Sequence, residues 1–255
     1  MSFDQNGFND FVLENKIVGV KEEPFTLKSK RKSNWYANWR LNDVYVINVL
    51  SDYVTEFTED QIGGTERVDC FYGVPEGVTR LAVMTQYKWA MKSPDYGPGS
   101  HVLPMGRGKP KEHGDPRNKY FVGEPRGKTL VLEDVTTTGG STLKEIAKLK
   151  GMKDVDIVGV VGLFHRMEKT PIPGKDDEGV VGEYREIFKK AAEKEYKNYM
   201  SVEQALFEAG VSYYSMTDAR NMLPLVVKDL NPPEDVVRKI GKEIEDYGTV
   251  KINLR

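Results

Sequence analysis

The spacing of apolar residues predicts helices and strands that alternate along most of the chain. Apolar side chains recur at steps of three and four residues, as on helices with one buried face, over residues 42–59, 78–91 and 141–149. Short apolar runs of the kind found in buried strands occupy residues 68–73, 129–132, 155–164 and 211–216. Strands that alternate with helices are the order of a parallel sheet covered by helices, so we predict an α/β fold.

Two segments towards the carboxyl end are predicted as additions to this core. Residues 170–200 begin rich in proline, glycine and charge and continue as a strongly charged helical pattern, which indicates an inserted, solvated arm. Pro232 and Pro233 open a last charged helix within an extension that covers residues 230–255. We therefore predict one domain over residues 1–255, with an arm and a carboxyl-terminal extension.

Composition and charge favour a small-molecule partner. The 37 basic and 39 acidic residues nearly cancel, so no overall field attracts nucleic acid or an anionic membrane. The apolar runs are too short to span a membrane and the first residues lack the pattern of a signal peptide, which predicts a cytoplasmic protein. The single cysteine, Cys70, lies in an apolar run and is predicted to be a buried, inert thiol, without a zinc or redox role.

The segment LVLEDVTTTGGST, residues 130–142, carries the most informative chemistry. An apolar strand ends at Glu133 and Asp134, and a turn of hydroxyl residues and glycines leads into a helix. Glycines let backbone amides converge on an anion, hydroxyls donate further hydrogen bonds, and a helix start favours negative charge. Carboxylates at a strand end can accept from ribose hydroxyls or orient a hydrated metal. The pattern predicts a sugar-phosphate site; the alternative is an ordinary strand-to-helix turn with a capping serine.

This segment resembles the phosphoribosyl pyrophosphate signature of type I phosphoribosyltransferases, which has two acids, an apolar residue and a short Thr/Gly loop. The resemblance implies an open, mainly parallel sheet with a hood formed by the N-terminal region and the charged insertion. It implies that Glu133 and Asp134 hold the ribose hydroxyls or the shell of a metal ion, Asp134 being counted among the catalytic residues. The residues it implies for the 5-phosphate and its surroundings are Thr136, Thr137, Thr138, Gly139, Gly140 and Ser141.

Residues 25–38, FTLKSKRKSNWYAN, are similar to the amino-terminal segment Phe-x-Leu-Lys-Ser-Gly-Arg of orotate phosphoribosyltransferases. The resemblance implies that Lys28 and Tyr36 line the base site, where a lysine can pair with a carboxylate and an aromatic face can stack on a planar ring. Lys30 stands where that family has glycine. The alternative is a solvated basic strand or loop.

Residues 107–114, RGKPKEHG, resemble the mobile catalytic loop of the same family. Breaking the pyrophosphate bond builds negative charge on the leaving group, which a closing cluster of donors can stabilise. The resemblance assigns this role to Arg107, Lys109, Lys111 and His113, with Gly108 in place of a basic residue. A solvated basic loop is the alternative.

Two further segments follow the order of the family. Arg166 resembles the base-binding arginine of an Asp-Arg-x-Glu element, in which His165 here replaces the aspartate and Glu168 is kept; a surface ion pair is the alternative. Residues 71–82 occupy the place of a pyrophosphate-binding loop, where a simple structural turn is the alternative. The resemblance ends near Asp218 and leaves out the arm and the tail.

Taken together, the resemblance implies an enzyme of pyrimidine biosynthesis that joins orotate to the ribose of 5-phosphoribosyl-1-pyrophosphate, with Mg²⁺ on the pyrophosphate. It also implies a homodimer in which the mobile loop reaches the neighbouring active site. Two alternatives stay open: a phosphoribosyltransferase for another base such as a purine, and a non-catalytic regulator that senses phosphoribosyl pyrophosphate. The basic loop favours catalysis, while Lys28 and Arg166 favour an acidic base.

Overall fold

The computed structural model describes residues 2–40, 43–113, 119–171 and 199–254. Its helices are α1 (Gln5–Glu14), α2 (Val44–Gln61), α3 (Thr79–Lys92), α4 (Gly140–Lys150), α5 (Val202–Glu208), α6 (Ala219–Leu230) and α7 (Glu234–Tyr247). Its strands are β1 (Val18–Thr26), β2 (Lys32–Ala37), β3 (Cys70–Gly73), β4 (Gly127–Thr136), β5 (Val155–His165), β6 (Thr170–Pro171), β7 (Tyr199–Met200) and β8 (Tyr213–Ser215).

A four-stranded parallel sheet in the order β3-β4-β5-β8 forms the centre of the molecule. Leu130, Val131 and Leu132 of β4 are fully buried because neighbouring strands and helices cover them. A strand enclosed on both faces needs apolar side chains at successive positions, which explains the continuous apolar runs. The predicted α/β architecture, an open parallel sheet flanked by helices, is confirmed.

An antiparallel hairpin of β1 and β2 forms the hood beside the sheet, and Val20 lies opposite Trp35 in its register. The N-terminal region therefore supplies a hood, whereas the predicted contribution of the charged insertion falls on residues 172–198, outside the described residues. Two helices from the other end of the chain also contribute, since α6 packs against β1 and α7 packs against β2. The carboxyl-terminal extension is thus part of the support of the hood.

The acids of the central motif lie inside a strand. The apolar run predicted a strand that stops at residue 132, but β4 pairs with β5 up to Thr136, opposite His165. The boundary was wrong because backbone pairing does not require apolar side chains, and Glu133 continues the buried face. The motif therefore begins within the sheet and opens into a loop only after Thr136.

Other boundaries were predicted within a few residues. The predicted helix over 42–59 is α2, which Asp43 caps by accepting a hydrogen bond from the Val46 amide at 2.9 Å. The pattern missed α1 and α6, and α6 contains Pro224. Most of the predicted arm, residues 172–198, lies outside the described residues, and its two ends meet as the antiparallel pair of β6 and β7.

The lone thiol is enclosed, as predicted. Cys70 is fully buried at the start of β3, and burial raises its pKa to about 11. A thiol with a raised pKa is mostly protonated at neutral pH and is a poor nucleophile. Among the described residues, no helix is long and apolar enough to cross a membrane.

Candidate active site

Two adjacent carboxyl groups lie near the carboxyl end of β4. Glu133 is 5% exposed and accepts a hydrogen bond from the Thr142 hydroxyl at 2.6 Å. Burial and the neighbouring charge of Asp134 raise the pKa of Glu133 well above its ordinary value of 4.5, and the Thr142 hydrogen bond and the charge of Lys28 oppose this only in part. Asp134 is half-buried and accepts from the Val135 amide at 2.8 Å. One acid is therefore enclosed, and the other is partly exposed near the carboxyl end of β4.

The loop after β4 has the form of an anion site. Gly139 adopts a left-handed φ of 71°, and no side chain caps the first turn of α4. The first amides of a helix lack partners within the helix and point outwards, so an uncapped start leaves donors for a ligand. Gly140 is exposed, and Thr137 and Thr138 are half-buried on the approach to these amides. We name residues 137–141 the phosphate loop.

The hood reaches the phosphate loop through Lys28. Its ammonium group donates to the Ser141 hydroxyl at 2.8 Å across 113 positions of sequence. The same charge acts on Glu133. The structure thus brings Lys28, Ser141 and Glu133 together, and their predicted roles at the base, the 5-phosphate and the ribose stay predictions.

Tyr36 lies on the hood, away from these contacts. Its ring covers Gly19 of β1, where a Cβ atom would lie 2.6 Å from the tyrosine oxygen, and it meets the Phe25 ring edge-on at 6.5 Å. The Lys21 ammonium group lies 5.7 Å from the Tyr36 ring centre. Tyr36 therefore contacts Gly19, Lys21 and Phe25 of its own hairpin, and its predicted role at the base stays a prediction.

The segment between β3 and α3 packs directly on the acids. A Cβ atom on Gly77 would overlap the carboxylate of Asp134, so only glycine permits this approach. The peptide bond between Pro75 and Glu76 is cis. This segment, which carried the weakest sequence signal, therefore lies beside Asp134, where a pyrophosphate-binding loop is expected.

The predicted catalytic loop begins next to that segment. A Cβ atom on Gly108 would lie 2.8 Å from Oε1 of Glu76, and the Arg107 amide donates to the Tyr120 carbonyl at 2.8 Å. Further out, the Lys111 amide donates to the Lys119 carbonyl at 2.8 Å. Of the predicted catalytic residues in this loop, three have exposed side chains: Lys109, Lys111 and His113. Gly114 falls outside the described residues. Three segments distant in sequence thus approach one end of β4.

No family model matches the chain. The orotate phosphoribosyltransferase of Bifidobacterium animalis subsp. lactis (strain AD011) is 31% identical over 170 residues, which cover 64% of this chain and 70% of the relative. The chain belongs to the orotate phosphoribosyltransferase family. The family member of Bifidobacterium longum (strain NCC 2705) is 28% identical over 259 residues, covering 94% of this chain and 96% of that protein. The protein is accordingly a phosphoribosyltransferase, an enzyme of the glycosyltransferase class.

Solved structures of the family share the fold. Orotate phosphoribosyltransferase from Francisella tularensis superposes with a TM-score of 0.60 at 20% identity, covering 97% of this chain and 98% of that chain. The Mycobacterium tuberculosis H37Rv enzyme in complex with 5-phospho-alpha-D-ribosyl 1-diphosphate superposes with a TM-score of 0.51 at 16% identity. The match covers 86% of this chain and 98% of that chain. The hood and the parallel sheet are therefore the architecture of phosphoribosyltransferases.

Arg166 departs from the role that the family motif implies, because the structure does not bring its guanidinium to the cleft. The side chain is 1% exposed, and its charge is engaged by Glu168 at 2.5 Å and Glu243 at 2.7 Å. It also donates to the Ser33 hydroxyl at 2.9 Å, and it stacks on the Trp35 ring at 3.5 Å. With a fourth hydrogen bond, to the Trp35 carbonyl at 3.2 Å, the guanidinium is fully engaged, so Arg166 holds the hood to the sheet and to α7.

Sequence patterns missed two residues that shape the site. The Thr142 hydroxyl donates a hydrogen bond to Glu133. Its position in the first turn of the helix after the motif was the sequence signal that could have identified it. Glu243 lies beyond the segment that resembles the family, in the tail, and no local pattern connects it with Arg166. Such long-range ion pairs become visible only when the fold brings the elements together.

Proposed function

We propose that the protein transfers the phosphoribosyl group of 5-phosphoribosyl-1-pyrophosphate to orotate, giving orotidine 5'-monophosphate and pyrophosphate. The reaction belongs to pyrimidine nucleotide biosynthesis. The observation that carries the proposal is the convergence of a carboxylate pair, the phosphate loop and the start of a basic loop at one end of β4. Family membership supports the same reaction.

The phosphate loop and the two acids suit opposite ends of a phosphorylated ribose. The uncapped amides at the start of α4 and the hydroxyls of Thr137, Thr138 and Ser141 would donate to the 5-phosphate. Asp134, half-buried at the cleft, would accept from the ribose hydroxyls together with Glu133. Fixing the sugar at both ends positions carbon 1 for attack by the base, and such positioning is a large part of catalysis.

The basic loop would act on the leaving group. The pyrophosphate gains charge as its bond to carbon 1 breaks, and Arg107, Lys109, Lys111 and His113 would supply donors to it. A donor cluster is most effective when it meets charge that develops only in the transition state, in a site from which water is excluded. The exposed side chains of Lys109, Lys111 and His113 suit a loop that acts on closure.

Mg²⁺ is the cofactor that we propose, shared between protein and substrate. Glu133 and Asp134 supply carboxylate oxygens, but within the described part of the chain no cluster of three or more His, Cys, Asp or Glu side chains could hold a metal ion alone. Magnesium commonly uses one or two carboxylates together with substrate phosphates and water, so the two acids fit it. When bound to pyrophosphate, the ion supplies positive charge that offsets the charge of the leaving group.

The base contact is proposed for Lys28. Its ammonium group is exposed at the mouth of the cleft and within reach of Ser141, so it can turn to a carboxylate on a planar base. Arg166 is excluded from this part of the proposal because its side chain is buried and paired. Orotate recognition here would therefore depend on Lys28 more than the family motif implies.

A homodimer is the assembly that we propose, on the resemblance to the family. The outer surfaces of α2 and α3 carry large exposed apolar side chains that suit a partner surface: Val44, Tyr45, Tyr87 and Met91. Sedimentation velocity should give a single species of about twice the chain mass of 28.9 kDa. A monomer at micromolar concentration that is fully active would contradict this proposal.

The proposed reaction is tested by mixing protein, magnesium chloride and 5-phosphoribosyl-1-pyrophosphate with orotate, uracil, adenine or hypoxanthine in turn. Pyrophosphate release should accompany orotate alone, and the product should carry the absorbance of orotidine 5'-monophosphate. Turnover of a purine without turnover of orotate would overturn the choice of base. Binding of phosphoribosyl pyrophosphate without any turnover would instead indicate a sensor.

A further inference from the structure

A buried histidine and a glutamate from a different element form a pair behind the phosphate loop. His165 ends β5 and is 2% exposed, and its Nδ1 lies 3.2 Å from Oε1 of Glu203, the second residue of α5. Burial acts to raise the pKa of Glu203, but hydrogen bonds and the charge of His165 outweigh it and lower the pKa to about 2. Glu203 is therefore a carboxylate at neutral pH.

Each member of this pair lies one contact away from the phosphate loop. His165 is the register partner of Thr136, the last strand residue before the loop. Val202, which precedes Glu203, packs under Gly139, where a Cβ atom would lie 3.1 Å from a methyl group of Val202. The loop therefore rests between the end of β5 and the first turn of α5.

The first turn of α5 depends on contacts with the rest of the fold. The helix has seven residues, with a capping box between Ser201 and Gln204, and helices of this length are marginal on their own. The buried side chains of Val202, Ala205 and Leu206 attach one face. Beyond them, the His165–Glu203 contact joins the start of this helix to the carboxyl end of β5.

The histidine of the pair is shielded from water, whereas the side chain of Glu203 is 45% exposed. Within the described residues, Nε2 of His165 is buried without a hydrogen-bond partner, and the Tyr213 ring meets the imidazole edge-on at 5.4 Å. A hydrogen bond to a charged group is stronger in such an environment than in water, and its loss leaves the imidazole unpaired. The contact between His165 and Glu203 is thus placed where its removal has a structural cost next to the loop.

We propose that His165 and Glu203 are positioning residues that hold the phosphate loop in the shape that binds the 5-phosphate of the substrate. The inference rests on the proposed function, because it names the part of the substrate that the pair serves. His165 stands where the family motif has an aspartate, so this pair is not inherited with that motif. Neither side chain is proposed to touch the substrate.

Titration calorimetry with two separate probes tests the proposal: ribose 5-phosphate, which needs the phosphate loop, and magnesium pyrophosphate, which does not. Glu203→Ala should weaken the binding of ribose 5-phosphate about tenfold, which is the equivalent of one lost charged hydrogen bond. Magnesium pyrophosphate should bind as it does to the unmodified protein. In turnover, KM for phosphoribosyl pyrophosphate should rise by about the same factor, with kcat changed less than about twofold.

Two further variants make the test specific. Glu203→Gln keeps an acceptor for the imidazole and should recover most of the affinity, and it also serves if Glu203→Ala does not fold. Phe207→Ala changes an exposed residue of the same helix and should leave the binding of both probes unchanged. The inference about the pair would be overturned if Glu203→Ala bound ribose 5-phosphate with unchanged affinity, or if both probes bound equally more weakly. Neither outcome would affect the proposed function. Failure of the unmodified protein to bind either probe would overturn the proposed function instead.

Discussion

Single residues show where sequence motifs predict chemistry and where they do not. Lys28, Ser141 and Glu133 come from separate motifs, and the structure brings them together, while their roles toward a substrate stay predictions. Arg166 was predicted at the base and is instead buried in an ion-pair network. A motif records residue types in order, whereas the partners of a buried charge come from elements far away in sequence, so this outcome was not predictable from the motif.

Glu133 should reduce stability at neutral pH. Its pKa is raised in the folded protein, so the folded state holds its proton more tightly than the unfolded chain, and stability falls as pH rises from 4.5 through the raised pKa. Glu133→Gln should therefore be more stable than the unmodified protein at pH 8, by on the order of 1 kcal/mol, with no advantage below pH 4. Urea unfolding across this pH range measures the difference, and an advantage that persists at low pH would contradict the assignment.

Lys30 occupies a backbone conformation that suits glycine. Its φ is 64°, in a turn closed by the Leu27 amide, which donates to the Arg31 carbonyl at 2.8 Å. A left-handed residue with a Cβ costs about 1–2 kcal/mol, and glycine loses about 0.5–1 kcal/mol through chain entropy. Lys30→Gly should thus stabilise the protein by about 0.5 kcal/mol, while the control Lys32→Gly should destabilise it. Equal destabilisation in thermal unfolding would count against the strained turn.

At the level of elements, apolar periodicity predicted the core helices and strands well and their ends less well. Helix α2 and strand β5 match their predicted spans within two residues. Strand β4 extends past its apolar run because a hydrogen-bonded neighbour, not side-chain polarity, determines where pairing stops. Helix α1 was missed because polar and apolar residues are mixed along it and only a short part of one face is buried. Phe8 and Phe11 belong to that part.

The basic loop should contribute to the rate of the chemical step more than to substrate binding. Lys111→Ala should lower kcat by about 100-fold and change the affinity for phosphoribosyl pyrophosphate by less than about threefold, because an exposed lysine meets the charge only on closure. Lys153→Ala is the control, because Lys153 is exposed in the turn before the amino end of β5, at the opposite end of the strands. Steady-state kinetics and equilibrium binding measure the two quantities. Equal loss of both would argue against a loop that acts in the transition state.

Across the whole molecule, charged contacts join the two ends of the chain. Arg166 of the sheet region, Ser33 of the hood and Glu243 of α7 meet in one buried cluster, and Arg31 adds a 2.7 Å ion pair to Glu168. Sequence patterns predicted the tail as an extension outside the family match. The structure makes it a support of the hood that carries Lys28.

Removal of Glu243 should therefore destabilise the entire fold. Breaking a buried ion pair from one side leaves an uncompensated charge and typically costs about 3–5 kcal/mol. Since Glu168 still faces Arg166, Glu243→Ala should lose about 3 kcal/mol in urea unfolding. The control Glu245→Ala, exposed on the same helix, should change stability by less than about 0.5 kcal/mol. Similar values for the two variants would show that the cluster has little net effect.

The enclosed carboxyl beside Asp134 has a consequence for the heat of binding. Ribose hydroxyls and a divalent cation would favour the ionised form of Glu133, so ligand capture would expel a proton into the medium. The apparent enthalpy would then vary with the ionisation enthalpy of the buffer, and Hepes and Tris would give different values for the same titration. Glu133→Gln would make the two buffers agree.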